Sequence, residues 1–200
     1  YGFGISRVPR KIMSRRGTRM NWVGAFAPGT VGGRRAHPPK SEKAWSKKIN
    51  KKENAKAIRS AIAATILKEV VEGRGHLIPN NYPFALDDKF EMMEETKNVH
   101  EAFIKLGLEN ELERVSQRNV RAGKGKSRGR KYKKKKGPLI VVSKKDKLSR
   151  AAANIPGIDI IDVKSLNAEL LAPGAKAGRL TLWTKGALDM LEKENLFNKK

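Results

Sequence analysis

The sequence predicts an α/β fold: a three-layer, Rossmann-like domain with a mostly parallel sheet, a long basic extended loop at its amino end and a second basic loop. Three observations predict it. Strand and helix patterns alternate through the last third of the chain, which favours βαβ units and right-handed crossovers. Residues 1–48 lack a sustained apolar period, and residues 118–136 hold eleven cations and no acid. We therefore expect an extended loop over 1–48 and an α/β domain over 49–200 that residues 118–136 interrupt.

The positive charge is concentrated in these two segments, called here the first basic segment (1–48) and the second basic segment (118–136). The chain has 44 basic and 20 acidic residues and a formal net charge of +24. The first segment holds twelve Lys or Arg and one acid, so each segment contributes +11, and the rest of the chain is nearly neutral at +2. Two basic segments on a neutral domain are typical of nucleic-acid binding.

The first basic segment is expected to become ordered against a polyanion. Its composition does not allow it to bury enough apolar surface to offset the entropy of ordering. Ser6–Arg10 should be extended, since the residue before a proline avoids the helical region. Gly32 and Gly33 permit a close approach to a phosphate backbone, and Pro38 and Pro39 stiffen the exit from the segment.

Three apolar side chains lie in the middle of the first basic segment. They are Met20, Trp22 and Phe26. Exposed aromatic rings in a basic loop can stack on unpaired bases. The alternative is that these side chains pack on the α/β domain.

A helix is predicted over residues 51–72. Asn50 is a suitable N-cap with Glu53 in capping-box spacing, and Gly73 and Gly75 end the helix. Its apolar face follows spacings of three and four residues. That face comprises Ala55, Ile58, Ile62, Ile66 and Val70.

A short extended piece over 83–86 precedes a second helix over 89–106, which Asp87 or Asp88 can cap. Its apolar face comprises Phe90, Met93, Val99, Phe103 and Leu106. The acidic cluster near its start is most simply a solvated face, because negative charge is favoured at a helix N-terminus; a catalytic carboxylate is the less favoured alternative. The cluster comprises Glu91, Glu94 and Glu95. A short helix over 108–117 leads to the second basic segment.

The last third of the chain alternates strand and helix. Residues 139–142 form an apolar run typical of a strand buried on both faces, and further strands are predicted over 158–163 and 179–184. Helices are predicted from Ser143 and Asp146 to about residue 153, over 165–171, and from the capping residue Thr184 to about residue 196. Trp183 is interpreted as a core residue.

No enzyme constellation is present. The absence of cysteine excludes disulfides, thiolate metal sites and cysteine nucleophiles. The three histidines have no ligand-like spacing, and the sequence contains neither a phosphate-binding P-loop nor a nucleophile elbow. The sequence contains no apolar run of about 18 residues, so it predicts no membrane span. We expect a protein that is not an enzyme and binds no membrane, metal or cofactor of its own.

Five motifs recur in the order found in one known family. They are Ser6–Arg10, Gly33–Lys40, Arg121–Tyr132, Leu171–Gly174 and Gly178–Thr181. On these motifs the chain resembles the large-subunit ribosomal protein four family in its archaeal and eukaryotic form. It lacks the long tail of eukaryotic members, so it is similar to the archaeal form. The family's opening portion with its first strand is absent, so we expect further residues to precede Tyr1.

The resemblance implies a structural, non-enzymatic role in the cytoplasmic ribosome. It implies an α/β domain on the large subunit and a loop, residues 1–48, that threads into ribosomal RNA. The loop's tip, near residues 15–26, would lie at the wall of the peptide exit tunnel beside the nascent peptide, with residues 34–40 at its base. Large-subunit rRNA and neighbouring large-subunit proteins are the implied partners, and Mg²⁺ or K⁺ would be present only through the rRNA.

The candidate RNA-binding residues lie in the two basic segments. They are Arg7, Arg10, Lys11, Arg15, Arg16, Arg19, Arg34, Arg35, His37, Lys40, Arg121, Lys124, Lys126, Arg128, Arg130, Lys131, Tyr132 and Lys133. The second segment offers arginine forks for phosphate and one tyrosine face for a base or sugar, on a backbone that its glycines keep pliable.

Two alternatives remain open from the sequence. A free-standing RNA-binding regulator could use the same basic segments. A nucleotide-dependent enzyme could use the α/β domain, and it would bind its nucleotide at the carboxyl ends of the parallel strands.

Overall fold

The structure is a computed structural model that describes residues 8–144 and 147–198. The chain divides into two compact units, Tyr1–Lys48 and Ile49–Lys200. Among the described residues, no helix is both long and apolar enough to cross a membrane.

The first unit contains a β-hairpin. Strands β1 (Arg10–Arg16) and β2 (Arg19–Gly24) pair antiparallel, and residues 17 and 18 connect them in a two-residue turn. Gly17 has φ +59°, a conformation that favours glycine and that such tight hairpin turns require. The sequence pattern predicted only an extended loop here. A bulge between Ile12 and Ser14 breaks the strand's alternation, so the period of two was not visible in the sequence.

The second unit is built on a parallel four-stranded sheet. Its strands are β3 (Ala85–Leu86), β6 (Leu139–Val142), β7 (Asp159–Asp162) and β8 (Thr181–Thr184), in the order β3-β8-β6-β7. Each strand runs parallel to its neighbours in this order. All four residues of β6 and of β8 are buried, as a strand covered on both faces requires. The predicted parallel sheet is confirmed: β6 has the predicted bounds, while β7 and β8 are shorter than the strands predicted over 158–163 and 179–184.

Helices pack on both faces of this sheet. They are α1 (Lys51–Ile66), α2 (Lys68–Gly73), α3 (Thr96–Lys105), α4 (Glu109–Ser116), α5 (Lys147–Ala152), α6 (Ala168–Leu171) and α7 (Lys185–Lys193). Successive residues of β6 point to opposite sides, because side chains alternate along a strand. Ile140 and Val142 join a core with Val99 and Phe103 of α3. Leu139 and Val141 join a second core with residues of α1, α6 and α7.

The predicted helix over 51–72 is broken at Leu67, which is extended (φ −77°, ψ 109°). The Tyr82 hydroxyl donates to the carbonyl oxygen of Thr65, the acceptor that a continuous helix would use internally. Beyond the break Val71 is buried and Val70 is exposed, and Ile66 at the end of α1 is exposed as well, although Ile66 and Val70 were predicted to face the core. Asn50 occupies the N-cap position, but its side chain makes no capping hydrogen bond, so the predicted capping box is wrong.

The predicted helix over 89–106 is also divided. A 3-10 helix covers Asp88–Met92, Met93 and Glu95 are extended, and α3 begins at Thr96. Neither Asp87 nor Asp88 caps the 3-10 helix with its side chain. Asp88 instead accepts a hydrogen bond from the Gly186 N–H at 2.7 Å, near the start of α7. The predicted apolar face is confirmed, since its five residues are buried or partly buried in one core.

The predicted helix over 165–171 begins later than expected. Residues 163–165 form a 3-10 turn, and α6 begins only at Ala168, because the Asn167 side chain caps it by accepting from the Leu170 N–H at 2.8 Å. The predicted cap of the last helix is confirmed: the Thr184 hydroxyl accepts from the Ala187 N–H at 3.3 Å. Trp183 is buried, as predicted. Asp146, predicted to help open α5, lies outside the described residues.

Candidate nucleic-acid interface

The second basic segment folds as a small hairpin. Strands β4 (Asn119–Val120) and β5 (Tyr132–Lys133) pair antiparallel, and a 3-10 helix (Gly123–Arg128) lies between them. Gly129 ends that helix in the left-handed region at φ 78°. The segment that was predicted to be pliable therefore has a defined internal hydrogen-bond pattern.

Arg121 shapes the turn of this hairpin. Its Nε donates to the carbonyl oxygen of Arg130 at 3.2 Å, and its backbone N–H donates to the carbonyl oxygen of Lys131 at 2.8 Å. Its side chain also crosses Gly125 so closely that a Cβ on that glycine would lie 2.8 Å from the Arg121 Cδ. Arg121 therefore holds the cations of the turn in place.

The hairpin is held at its base by a tight contact of two glycines with α4. The Gly137 N–H donates to the carbonyl oxygen of Gly157 at 2.9 Å. Gly157 has φ +75°, and a Cβ there would collide with Cγ1 of Val115. Only glycine fits both the conformation and the space.

Arg179 ties the exit of the second basic segment to the sheet. Its side chain is fully buried, and its Nε donates to the Gly137 carbonyl at 2.9 Å. Its Nη2 contacts Oδ2 of Asp159 at 2.6 Å, and the Lys136 ammonium reaches the same carboxylate oxygen at 2.9 Å. Burial lowers the pKa of Arg179, while Asp159 opposes that shift. Burial tends to raise the pKa of Asp159, but Lys136 and Arg179 hold it below its ordinary value.

A buried carboxylate, that of Glu111, fixes the other side of the foot of this hairpin. Glu111 is fully buried and accepts from Arg114 Nε at 2.7 Å, from His76 Nδ1 at 2.6 Å and from the Leu77 N–H at 3.0 Å. Arg114 also donates to the Lys136 carbonyl at 2.9 Å, so the buried network reaches the end of the basic segment. Burial tends to raise the pKa of Glu111, but the hydrogen bonds from Arg114 and His76 hold it below its ordinary value.

The cations of both basic segments have no acidic partner in the described part of the chain, with one exception. The ion pairs of the described residues all lie between residues 68 and 194, and Lys136 is the one member of either segment that takes part. The predicted RNA-binding residues from Arg10 onward are exposed, and Arg7 lies outside the described residues. The two segments therefore present uncompensated positive charge to solvent.

The first basic segment exposes two of its three predicted tip side chains. Trp22 is 55% exposed and Phe26 is 66% exposed, while Met20 is half-buried. Gly33 has an internal role: a Cβ there would collide with Thr30 and the Ala27 carbonyl, which a tight turn brings together. Its approach to phosphate stays a prediction.

The carboxyl ends of the central strands hold an acidic side chain. Glu91, predicted to face solvent, accepts from the Ser143 N–H at 2.9 Å, from its hydroxyl at 2.6 Å and from the Thr184 hydroxyl at 2.5 Å. Ser143 follows β6 and Thr184 ends β8, so the carboxylate bridges the two strands at the edge where open α/β sheets bind ligands. Burial tends to raise the pKa of Glu91, but the bonds from Ser143 and Thr184 hold it below its ordinary value.

Sequence reasoning missed the residues that position this interface. No local spacing could identify them, because each lies 20 or more residues from at least one of the groups that it contacts. They are Arg179, Asp159, Glu111 and Arg114. The one usable signal was a charged residue beside or inside a strongly apolar strand, as at Arg179 and Asp159. Among the described residues, no group of side chains is arranged to hold a metal ion.

The fold and the charge define a class: an α/β domain with basic extensions whose described cations, apart from Lys136, lack acidic partners, the arrangement expected for a nucleic-acid-binding protein. A family model described as the ribosomal protein L4/L1 family matches residues 1–194, and the chain belongs to this family. The resemblance drawn from the motifs is thereby confirmed.

Curated archaeal relatives match the chain over most of its length. It is 52% identical over 198 residues to the large ribosomal subunit protein uL4 of Nanoarchaeum equitans, a match that covers 98% of this chain and 74% of the relative. It is 48% identical over 191 residues to the protein of the same name from Archaeoglobus fulgidus, covering 95% of this chain and 73% of the relative.

Proposed function

We propose that this chain is a structural constituent of the large ribosomal subunit, where it binds large-subunit rRNA and supports assembly. One observation carries the proposal: among the described residues of the two basic segments, only Lys136 is paired with an acid. Clustered unpaired cations on a nearly neutral body favour binding to an external polyanion, and the names of the archaeal relatives point to the ribosome.

RNA is the polyanion that suits these segments. RNA helices are recognised mainly through backbone, 2′-hydroxyls and shape, and lysine, arginine and small residues can follow such a surface. In this proposal the second basic segment approaches RNA as a formed hairpin. The hydrogen bonds of Arg121 and the Gly137–Gly157 contact at the foot of the hairpin hold it together.

Co-sedimentation tests the proposal. Tagged protein in a cell lysate is run through a sucrose gradient at low and at high salt. An integral subunit component stays in the large-subunit peak after the high-salt wash. Protein that leaves the peak at high salt, or that stays at the top of the gradient, would instead support the free-standing regulator.

The proposal extends to the tip of the first basic segment. Residues 15–26 approach the wall of the peptide exit tunnel and the nascent peptide, and other surfaces contact neighbouring large-subunit proteins. The exposure of Trp22 and Phe26 supports a tip that is covered by a partner. A photo-crosslinking residue at Phe26, which lies outside the paired strands, should capture a stalled nascent chain, whereas one at Lys97 on α3 should not.

The α/β domain acts in this proposal as a scaffold and not as a nucleotide-dependent enzyme. Glu91 occupies the strand ends where a nucleotide phosphate would bind, and like charges repel there. No cofactor is required, and Mg²⁺ or K⁺ arrive with the rRNA. Calorimetry with ATP, GTP and NAD should show no saturable heat; saturable binding that Glu91→Ala alters would reopen the enzyme alternative.

A further inference from the structure

The hairpin β1–β2 has two chemically different faces. Cross-strand partners point to the same side of a ribbon, so the register assigns every side chain to a face. One face comprises Arg10, Ile12 and Arg15 from β1 with Met20, Trp22 and Gly24 from β2. The opposite face comprises Lys11, Ser14, Arg16, Arg19, Asn21 and Val23. The first is called the Trp22 face.

The bulge at Met13 creates the composition of the Trp22 face. Strict alternation along β1 would place Arg15 on the side opposite Arg10 and Ile12, because Arg15 is five positions after Arg10. The extra residue in the bulge restores Arg15 to their side, opposite Met20. An indole ring paired with Ile12 therefore has an arginine toward each end of the same face.

The Trp22 face is open. Trp22 is 55% exposed and Ile12 is 46% exposed. Gly24 lies directly opposite Arg10, and a Cβ at this glycine would meet nothing within 4 Å. The result is a shallow depression beside the indole, which Val8, Arg10 and Gly24 also line.

We propose that the Trp22 face is a binding site for an unpaired nucleobase, which stacks on the indole while Arg10 contacts the adjoining phosphate. Aromatic faces stack on splayed bases, and an arginine fork matches a phosphate. The flanking arginines favour a nucleotide over an apolar peptide. An apolar peptide on this face would cover the two guanidinium groups without supplying a negative charge. The inference rests on the proposed RNA binding and names the RNA feature that this segment takes.

The aromatic ring of the second basic segment is also exposed, at 45%, but a neighbouring cation already contacts it. Its aromatic residue, Tyr132, has the Lys131 ammonium 5.4 Å from the ring centroid, which engages one face of the ring. The segments therefore divide the recognition: the second contacts backbone phosphates, and the first also contacts a base.

Fluorescence and affinity measurements test the proposal. Trp45, also exposed and in the same unit, is the matched control, because its ring already carries the Lys43 ammonium at 5.1 Å. In the full chain with Trp45→Phe, the tryptophan fluorescence comes from Trp22 and from the buried Trp183, so changes on RNA binding report on Trp22. We expect single-stranded RNA to quench this signal and a blunt duplex of the same length to leave it nearly unchanged.

The affinity of full-length variants is then compared for the two RNAs. Trp22→Ala should weaken single-strand binding about fivefold or more, the usual effect of losing one stacked base, while duplex binding is unchanged. Trp22→Phe should restore most of the loss, and Trp45→Ala should have little effect.

Each outcome bears on a distinct claim. RNA binding without quenching of Trp22, or equal effects of Trp22→Ala on both RNAs, would overturn the stacking site and leave the proposed function standing. Quenching by an apolar peptide but not by RNA would identify a peptide as the occupant and overturn the site as proposed. Failure of the wild-type chain to bind either RNA would overturn the proposed function and the site together.

Discussion

Arg179 and Asp159 form an ion pair across the start of β6: the arginine Nη2 lies 2.6 Å from Oδ2 of Asp159, the first residue of β7. The same guanidinium donates to the carbonyls of Gly137 and Leu170. One buried cation therefore joins two strand starts, a helix end and the exit of the second basic segment.

Removing this guanidinium should destabilise the chain strongly. Arg179→Ala leaves the Asp159 carboxylate and two carbonyls without their main donor, and such losses cost about 3 kcal/mol or more in the free energy of unfolding. Urea denaturation followed by circular dichroism measures the change. Lys136→Ala, which removes the exposed partner of the same carboxylate, should cost less than about 1 kcal/mol. Equal effects would mean that burial does not distinguish the two cations.

Gly157 should not tolerate a side chain. Gly157→Ala combines φ +75° with a collision against Val115, so it should cost more than the roughly 1 kcal/mol expected for strain alone. Gly123→Ala is the matched control, because Gly123 has the same φ of +75° with nothing within 4 Å. Thermal denaturation compares them. The double variant Gly157→Ala, Val115→Ala should lose less stability than the sum of the losses in the two single variants, because removing the Val115 methyl groups relieves the collision. Losses that simply add would argue against the collision.

Stability should fall as the solution is acidified. Glu111 and Asp159 have folded-state pKa values below their ordinary values of 4.5 and 3.8, so the unfolded chain binds protons first. Their contribution is present above those ordinary values and is lost as the pH falls through the lower folded-state values. Urea midpoints measured from pH 7 to pH 3 should show this loss.

A glutamine substitution tests the assignment of this acid dependence. Glu111→Gln should lower stability at pH 7 and make the remaining pH dependence shallower, because one titrating group is removed. Glu113→Gln, exposed on the same helix, is the control. If both variants follow the wild-type pH profile, Glu111 does not contribute to it.

The cations of the second hairpin should control the salt dependence of RNA binding. Replacing Arg128, Arg130, Lys131 and Lys133 with Ala should reduce the slope of log affinity against log salt, by about 0.7 for each single-strand phosphate that the variant no longer neutralises. The stability of the domain should barely change, since these side chains are exposed.

A variant of equal charge separates phosphate binding by the hairpin from net charge. Ala substitutions at Lys97, Lys105, Lys176 and Lys193 remove four exposed cations from outside both basic segments. This variant should keep the wild-type slope. Slopes that fall equally in both variants would show that net charge, and not binding by the hairpin, sets the salt dependence.

Local patterns were sufficient for much of this protein. The run Leu139–Val142 predicted a doubly buried strand, Thr184 predicted a helix start, and the charge totals of the two basic segments indicated where exposed cations are concentrated. Each of these depends on composition or on spacing within a few residues, so the sequence alone carries the information.

The tertiary structure decided features that depend on distant contacts. The break at Leu67 follows from Tyr82, 17 residues beyond the Thr65 carbonyl that it engages, and the hydrogen bonds that hold Glu91 come from Ser143 and Thr184, 52 and 93 residues away. The Trp22 face depends on a bulge that shifts the register of one strand. A sequence pattern records which side chains are available, but only packing determines which of them meet.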